Sequence, residues 1–144
     1  MPNLDVSIVI PVFNASKYLL PLLDAFRSQT PVPPKEIILA DSLSTDNTRD
    51  IVSGIPNIRV IPIPVFTHGN ARNIGASQAK GDVIVILSQD ALPRNSSWLA
   101  SLIEPFSDAS VAATFSRQIP HENAKPMEKM VIHKTINKRK HDER

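Results

Sequence analysis

The amino-acid sequence predicts an α/β domain with a mostly parallel β-sheet and helices on both of its faces. Short apolar runs rich in β-branched residues alternate with segments of helical periodicity, which is typical of βαβ units. Most of these runs are apolar nearly throughout, as expected for strands covered on both sides. Polar residues directly follow several runs, at the edge of such a sheet where ligands bind. The predicted order is β-α-β-α-β-α-β-α-β, with right-handed crossovers.

Five strands are predicted from the apolar runs. They cover residues 6–12, 37–40, 58–61, 83–87 and 111–115. After residue 116 the alternation weakens, and no further strand is predicted.

Helical periodicity fills the segments between these strands. The first helix and the fourth each place apolar residues at i, i+3, i+4 and i+7, which is one helical face. These residues are Leu19, Leu22, Leu23 and Phe26 in the first helix, and Leu99, Leu102, Ile103 and Phe106 in the fourth. We expect Ser16 to cap the first helix and Pro21 to lie near its first turn.

The second and third helices are predicted from their end signals. Residues 46–53 form a short helix with Ser44 or Thr45 as its cap and Gly54 as its stop. Residues 70–80 form a third helix that Gly81 ends. A further helix is expected over residues 127–139.

Length and composition favour one folded domain with a short tail. The chain has 144 residues, of which 42% are hydrophobic, so it can bury a core. We expect an α/β domain over residues 1–120 and a helical or disordered basic tail over residues 121–144. The tail's last part, KTINKRKHDER, indicates a solvated terminus or, alternatively, a contact with a membrane surface or an acidic partner.

Several classes of site and partner are excluded by composition. The chain has no cysteine, which excludes disulfides and thiolate zinc sites. The formal net charge is +2, too small to indicate a nucleic-acid partner. No apolar run approaches the roughly 20 residues of a membrane span, and the first residues lack the basic start of a signal peptide. A cytoplasmic location, with peripheral contact at the inner face of the membrane as an option, fits these features.

Polar residues end three of the predicted strands. Phe13 and Asn14 follow the first strand, Asp41 and Ser42 end the second, and Ser88-Gln89-Asp90 follows the fourth. Because the carboxyl ends of parallel strands lie at one edge, we expect these residues to converge on one crevice. Neither glycine-rich phosphate motif, G-x-G-x-x-G or G-x-x-x-x-G-K-[ST], is present. A metal ion or an Arg or Lys side chain must then balance any phosphate charge.

Each candidate side chain has a functional and a structural interpretation. Asp90 can bind a hard divalent cation, or it can cap the following turn. Asp41 can accept from a base or ribose, or it can cap the loop after its strand. Arg72 opposes the dipole at the start of the third helix, which favours an anion there, and the alternative is a surface ion pair. Arg117 follows the fifth predicted strand and can be an ordinary loop residue, and His68 can be a loop residue with no task.

Four segments resemble motifs of the family 2 inverting glycosyltransferases, which have a GT-A-type fold. VSIVIPVFNASKYLLPLLDAFRSQT (6–30) is similar to their first strand and helix, and EIILADSLSTDNT (36–48) to their second-strand motif. GNARNIGASQAKGDVIVILSQDALP (69–93) resembles their Arg-Asn-x-Gly helix and metal motif. SRQIPHENAKPMEKM (116–130) resembles the rhamnosyltransferase-like branch. The resemblance covers the N-terminal, donor-binding portion of such an enzyme, which makes the domain a truncated one.

This resemblance implies a role for each matching residue in binding a nucleoside-diphosphate sugar. Pro11, Phe13 and Asn14 belong to the turn whose first two members line the base pocket. Asp41 and Ser42 contact the base or ribose.

The remaining matches concern the diphosphate and the sugar. Arg72 faces the nucleotide, and Arg117 lies near the sugar. Gln89 stands where many relatives carry the first acid of the metal motif. Asp90 stands where they carry the acid that binds Mg²⁺ or Mn²⁺, an ion that neutralises charge on the leaving diphosphate.

Three departures from the family pattern limit this interpretation. Gln89 removes one carboxylate from the metal motif, and Leu43 replaces the usual glycine of the second motif. The family's catalytic domain normally extends well past the length of this chain, and the extra part contains the general base that deprotonates the acceptor hydroxyl. The catalytic residues are therefore unknown.

The first hypothesis is the donor-binding portion of a glycosyltransferase in polysaccharide or cell-wall biosynthesis. It would transfer a hexosyl or rhamnosyl group, with inversion, from a nucleoside-diphosphate sugar to a glycan or lipid-linked acceptor. The second is a non-catalytic nucleotide-sugar binder or a remnant without the base. The third is an unrelated α/β domain such as a receiver-like phosphoacceptor. That class usually has paired acids after its first strand and a Lys after its last, where this chain has Asn14 and Arg117.

Overall fold

The computed structural model describes residues 3–120, 122–127, 129–130 and 132. The chain divides into two compact units, residues 1–112 and residues 113–144. The elements of the first unit are β1 (Val6–Val12), α1 (Ser16–Arg27), β2 (Glu36–Asp41), α2 (Thr48–Val52), β3 (Ile58–Pro62), α3 (His68–Ser77), β4 (Val83–Ile86) and α4 (Trp98–Ile103), followed by a 3₁₀ helix over Glu104–Ser107.

The four strands form one parallel sheet in the order β3-β2-β1-β4. β1 lies between β2 and β4, so it pairs along both of its edges. The order changes direction between β1 and β4, which is the switch point where ligands bind in sheets of this type. The predicted parallel α/β sheet is confirmed.

Helices cover both faces of the sheet, as predicted. Alternate residues of β1 point to opposite faces, since the side-chain period of a strand is two. On one face Ile8 and Ile10 pack in a core with the buried face of α1 and with Leu99 of α4. On the other face α3 packs close to Val9, and its Ala71 joins a second core with Ala40 and Ile63. All four apolar positions predicted for the inner face of α1 are buried.

The predicted fifth strand is wrong. Residues 111–115 contain no strand, and Phe115 is 78% exposed. Two of the five residues, Ala112 and Ala113, are exposed alanines, a residue type that is depleted in strands because it packs poorly on a pleated surface. Such a run buries too little apolar surface to hold an extra strand.

Three predicted helix ends need correction. Ser16 is the first residue of α1, and no side chain caps the helix from Ala15 before it. Pro21 therefore lies inside the helix, past the first turn. α2 begins after Asn47, so neither Ser44 nor Thr45 is its N-cap residue. Gly54 does follow α2 with a positive φ of 74°, which fits a helix stop.

The third helix differs from the prediction at both of its ends. Thr67 caps it, since its hydroxyl accepts from Asn70 N–H at 3.0 Å. The helix ends at Ser77, and Gly81 lies beyond it. A Cβ at Gly81 would come within 2.7 Å of the Asp5 carbonyl oxygen and of Ser7 N, so this position needs glycine for close approach to β1.

A buried carboxylate joins the amino ends of the strands. Glu36 accepts from Ser7 Oγ at 2.7 Å, from Lys80 N–H at 2.6 Å and from Arg59 Nη2 at 2.8 Å. Desolvation raises the pKa of Glu36, but the hydrogen bonds from Ser7 and Lys80 and the Arg59 guanidinium outweigh it, so the pKa lies below its usual value. This network stabilises the edge of the sheet that lies away from the candidate site.

The second unit contains little regular structure among its described residues. Residues 113–120 form neither helix nor strand, and residues 126, 127, 129, 130 and 132 are helical. The rest of the helix predicted over 127–139, like the basic stretch 134–144, lies outside the described residues. In the described part of the chain, no helix has both the length and the apolar character that crossing a bilayer requires.

Candidate functional site

The ends of β1, β2 and β4 are joined by side-chain hydrogen bonds. The Gln89 carboxamide bonds the backbone of Phe13, accepting from its N–H at 2.9 Å and donating to its carbonyl at 3.3 Å. On the other side, Asn14 N–H donates to Ser44 Oγ at 2.9 Å. The structure therefore brings these three strand ends together, as predicted from the sequence.

Asn14 anchors the loop after β2 to the loop after β1. Its φ of 48° is left-handed, a conformation that Asn tolerates better than most residues. In this conformation its Oδ1 accepts from Thr45 N–H at 2.9 Å and from Asp46 N–H at 3.3 Å. Leu43, which stands where the family usually has glycine, also has a positive φ of 60°.

Asp46 and Thr48 satisfy backbone donors at the starts of α1 and α2. Asp46 accepts from Ser16 N–H at 3.1 Å and from Thr48 N–H at 3.0 Å, and Thr48 Oγ1 accepts from Ala15 N–H at 2.8 Å. These long-range bonds explain why Ser16 is not needed as a cap. Desolvation raises the pKa of Asp46, but the hydrogen bonds from Thr48 and Ser16 outweigh it and hold the pKa well below its usual value.

Asp41 lies at the floor of this edge and not on its surface. Its side chain is fully buried, and its Oδ2 accepts from Arg49 Nε at 2.6 Å. Its Oδ1 accepts from Ser44 N–H at 3.0 Å and also from the Ser44 hydroxyl. The carboxylate is thus occupied by protein donors, and the bonds from Ser44 agree with the alternative interpretation of Asp41 as a cap of the loop after its strand. The ion pair with Arg49 was not predicted.

Ser42 is the polar group beside Asp41 that stays unpaired. Its N–H donates to the Val12 carbonyl at 2.9 Å, which extends the β1–β2 pairing by one residue. Its hydroxyl is buried and has no hydrogen-bond partner among the described residues. Buried hydroxyls normally have a partner, so this atom is a candidate contact for a ligand.

Asp90 differs from Asp41 in its exposure. It lies in a turn that Ala91 N–H closes by donating to the Ser88 carbonyl at 3.0 Å. Its side chain is exposed and bonds to no residue that the structure describes. In the described part of the chain no three acidic or His side chains cluster to form a closed metal cage. A single free carboxylate does fit Mg²⁺ or Mn²⁺, which often take one or two carboxylates plus phosphate oxygens and water.

Arg72 is the fifth residue of α3 and lies at the same edge of the sheet. α3 precedes β4 in a parallel sheet, so its N-terminus lies at the carboxyl ends of the strands. The preceding residue, Ala71, packs with Ala40, the neighbour of Asp41. Arg72 Nη1 donates to the His68 carbonyl at 2.9 Å, and no carboxylate within the described ranges forms an ion pair with it. The surface ion pair that was the alternative interpretation is absent there.

Apolar side chains surround this edge. Phe13 is 53% exposed, and Leu43, Phe66 and Leu92 are exposed to a similar degree. Phe66 meets His68 edge to face, with ring centroids 5.1 Å apart. Pro11 is partly buried within β1, opposite Ala40 of β2. The edge therefore combines apolar surface with a carboxylate and a guanidinium.

Two other features bear on where the site lies. Arg117 is exposed and belongs to the second unit of the chain, whereas the strand ends belong to the first unit. An apolar groove of about 180 Å³ lies at the opposite, amino edge of the sheet and is lined in part by Phe26, Ile37 and Ile58. This groove contains neither Asp90 nor Arg72, so the volume alone does not mark the candidate site.

The chain matches the family model for glycosyl transferase family 2 over residues 7–144. It is 36% identical over 127 residues to the O-antigen chain rhamnosyltransferase RfbN of Salmonella typhimurium, covering 86% of this chain and 40% of that protein. It is 39% identical over 124 residues to the O-antigen chain rhamnosyltransferase WbaN of Salmonella anatum, covering 84% of this chain and 39% of that protein. The chain thus spans about two fifths of the length of these relatives.

Solved structures agree on the fold. The Staphylococcus aureus TarS structure with UDP matches with a TM-score of 0.62 and 25% identity, covering 81% of this chain and 38% of that one. The Pyrobaculum calidifontis mannosyltransferase PcManGT, in complex with GDP-Man and Mn²⁺, matches with a TM-score of 0.68 and 24% identity, covering 77% and 34%. These neighbours confirm the GT-A-type architecture. On the family match and the two rhamnosyltransferase relatives, the chain belongs to glycosyl transferase family 2.

Proposed function

We propose that this chain binds the nucleoside-diphosphate sugar donor of an inverting glycosyltransferase, at the carboxyl edge of its parallel sheet. The observation that carries the proposal is the free, exposed carboxylate of Asp90 beside the joined ends of β1, β2 and β4. The family membership gives the reaction class, and the position at the switch point of the sheet agrees with it.

The nucleoside end of the donor would lie against β1 and β2. Pro11 and the exposed ring of Phe13 offer apolar surface to the base. Ser42, which follows β2 directly, would contact the base or ribose, and its buried hydroxyl has no hydrogen-bond partner among the described residues. Asp41 contributes from below, because its buried carboxylate orients Ser44 and Arg49. Asn14 keeps the two loops in place for this contact.

The diphosphate end would lie between Asp90 and Arg72. Asp90 would hold Mg²⁺ or Mn²⁺, which when bound neutralises charge developing on the leaving diphosphate. Arg72 supplies a fixed positive charge from α3, and no carboxylate in the described part of the chain competes for it. Arg117 is proposed to face the sugar.

The transferred sugar and the acceptor are proposed from the relatives. The two rhamnosyltransferases named above act in O-antigen chains, which fits a deoxyhexose donor and a glycan or lipid-linked acceptor in polysaccharide biosynthesis. An acceptor of that kind favours a cytoplasmic protein at the inner face of the membrane. The general base that would activate the acceptor hydroxyl has no candidate among the residues described.

Calorimetric titration with UDP, dTDP and GDP, each with and without Mn²⁺, tests the proposal. We expect one nucleotide to bind with a dissociation constant below about 1 mM, and more tightly with Mn²⁺. Asp90→Asn should remove the effect of Mn²⁺ and leave metal-free binding intact. Asp24→Asn, at an exposed position on α1, is the matched control and should behave as the wild type. Absence of binding by all three nucleotides refutes the donor site, and an Asp90→Asn variant that still responds to Mn²⁺ refutes the metal ligand.

A further inference from the structure

Gln89 occupies a position where the β1–β4 pairing would otherwise end with unsatisfied backbone groups. β1 pairs with β2 as far as Val12, but its pairing with β4 stops at Val9 opposite Ile86. The last backbone bond on that side runs from Leu87 N–H to the Val9 carbonyl at 3.0 Å. β1 therefore continues past the end of its neighbour.

The direction of the backbone groups shows which residues are affected. The carbonyls of Asp5 and Val9 accept from β4 or the residues next to it, whereas the carbonyls of Val6 and Val12 accept from the β2 side. Odd-numbered residues of β1 therefore face β4, because backbone groups alternate between the two edges of a strand. Pro11 has no N–H to donate towards β4. Phe13 is the next residue on this side, with both an N–H and a carbonyl to satisfy.

The Gln89 carboxamide supplies both partners that Phe13 needs. Its oxygen accepts from Phe13 N–H at 2.9 Å and its nitrogen donates to the Phe13 carbonyl at 3.3 Å. An amide contains one acceptor and two donors, so it can mimic the backbone of a neighbouring strand. An ionised carboxylate only accepts, so an acid here would leave the Phe13 carbonyl facing a negative oxygen.

The same bonds fix the turn that carries Asp90. Gln89 and Asp90 are the two central residues of the turn closed by Ala91 N–H and the Ser88 carbonyl. A side chain held at two points limits the rotation of that turn, and so it limits where the Asp90 carboxylate can lie. The same pair of bonds holds the backbone of Phe13, from which its exposed ring projects.

We propose that Gln89 is a positioning residue, whose carboxamide takes the place of the missing end of β4 beside Phe13. It thereby fixes the position of the turn that carries Asp90 relative to the backbone of Phe13. In this role Gln89 is not a metal ligand, and its amide does not stand in for a metal-binding carboxylate. The effect on metal binding rests on the proposed function. The pair of hydrogen bonds between Gln89 and Phe13, called the brace below, does not rest on it.

Amide hydrogen exchange and Mn²⁺ titration on the same isotope-labelled protein test this inference. In Gln89→Ala, Phe13 N–H loses its acceptor and should exchange about tenfold faster, with Leu87 N–H unchanged as the internal control. In Gln89→Glu the acceptor remains, so the Phe13 amide should stay protected. Unchanged exchange of Phe13 in Gln89→Ala would overturn the brace.

Mn²⁺ alone, followed by paramagnetic broadening of the Asp90 and Ala91 amide signals, distinguishes positioning from ligation. Gln89→Glu adds a carboxylate beside Asp90 and keeps the bond from Phe13 N–H, but it sets a negative oxygen against the Phe13 carbonyl and so displaces the turn. We therefore expect it to need about tenfold more Mn²⁺ than the wild type. Tighter Mn²⁺ binding by Gln89→Glu would show that position 89 is a ligand position and would overturn the inference. Gln78→Glu makes the same charge change at an exposed site and should match the wild type. Absence of broadening in the wild type would refute the metal role of Asp90, while Phe13 exchange would still decide the brace.

Discussion

Gly75 allows α3 to lie directly on the sheet, and its replacement by alanine should push the helix away. A Cβ at this position would lie 2.3 Å from Val9 Cγ1 and 3.7 Å from Ala40 Cβ. Carbon atoms in contact normally lie roughly 3.5–4.0 Å apart, so the overlap with Val9 exceeds about 1 Å. Val9 is fully buried in β1, which pairs along both edges, so it has little freedom to move.

The magnitude follows from two opposing effects. Overpacking of this kind destabilises a protein by about 1–3 kcal/mol. Alanine is a better helix former than glycine by about 1 kcal/mol, which offsets part of that loss. We therefore expect Gly75→Ala to lower the free energy of unfolding by up to about 2 kcal/mol.

Urea unfolding followed by circular dichroism measures this change. Gly69→Ala is the matched control in the same helix, because a Cβ there would meet nothing within 4 Å. It should be as stable as the wild type or slightly more stable. If Gly75→Ala were as stable as Gly69→Ala, the close contact between α3 and β1 would be refuted.

A double-mutant cycle shows whether Val9 is the residue in the way. Val9→Ala removes the overlapping methyl group and should cost about 2 kcal/mol alone, through lost burial and a cavity. The double variant Val9→Ala/Gly75→Ala should lose less unfolding free energy than the two single variants lose together, by at least about 1 kcal/mol. Additive effects would place the strain elsewhere.

Two further predictions concern the loop after β2. Asp41→Asn should lower the free energy of unfolding by about 1–3 kcal/mol in urea titrations, because a buried acceptor of Arg49 and Ser44 is lost. The control Asp24→Asn, in the exposed pair with Arg27, should change the free energy of unfolding by less than about 0.5 kcal/mol. Equal effects of the two substitutions would contradict the structural role of Asp41. The folded-state pKa of Asp46 lies well below the ordinary value of an aspartate, so its contribution to stability is complete above that ordinary value and is lost as the pH falls towards the folded-state pKa. Between about pH 5 and pH 2, the wild type should therefore lose stability more steeply than Asp46→Asn, and parallel pH profiles would refute this assignment.

Local periodicity explains why much of the fold could be predicted from the sequence. The inner face of α1 and the four strands depend on neighbours within a few residues, and they formed where predicted. The caps at Ala15 and Ser16 depend on Thr48 and Asp46, about 30 residues away, and no local pattern contains that information. The run at 111–115 resembled a strand locally, but its small residues bury too little surface.

The candidate site shows the same division between local and distant information. Convergence at the carboxyl edge followed from the order of the elements alone. The burial of Asp41 depends on Arg49, which the sequence presents only as an ordinary helix residue. The role of Gln89 depends on Phe13, 76 positions earlier. One feature of the sequence did indicate incomplete pairing on this side of the first strand. Pro11 lies within that strand and has no backbone N–H to donate.

The bonds among Asn14, Ser44, Asp46 and Thr48 have a thermodynamic consequence for any ligand that enters this edge. Their backbone amides are satisfied within the folded chain, so the two loops lose their conformational freedom during folding and not during binding. A ligand then meets a surface that is already ordered, and its association needs no slow loop rearrangement. The same order leaves these loops little ability to adjust, so under the proposed function any discrimination between nucleobases would come from steric rejection at a fixed surface.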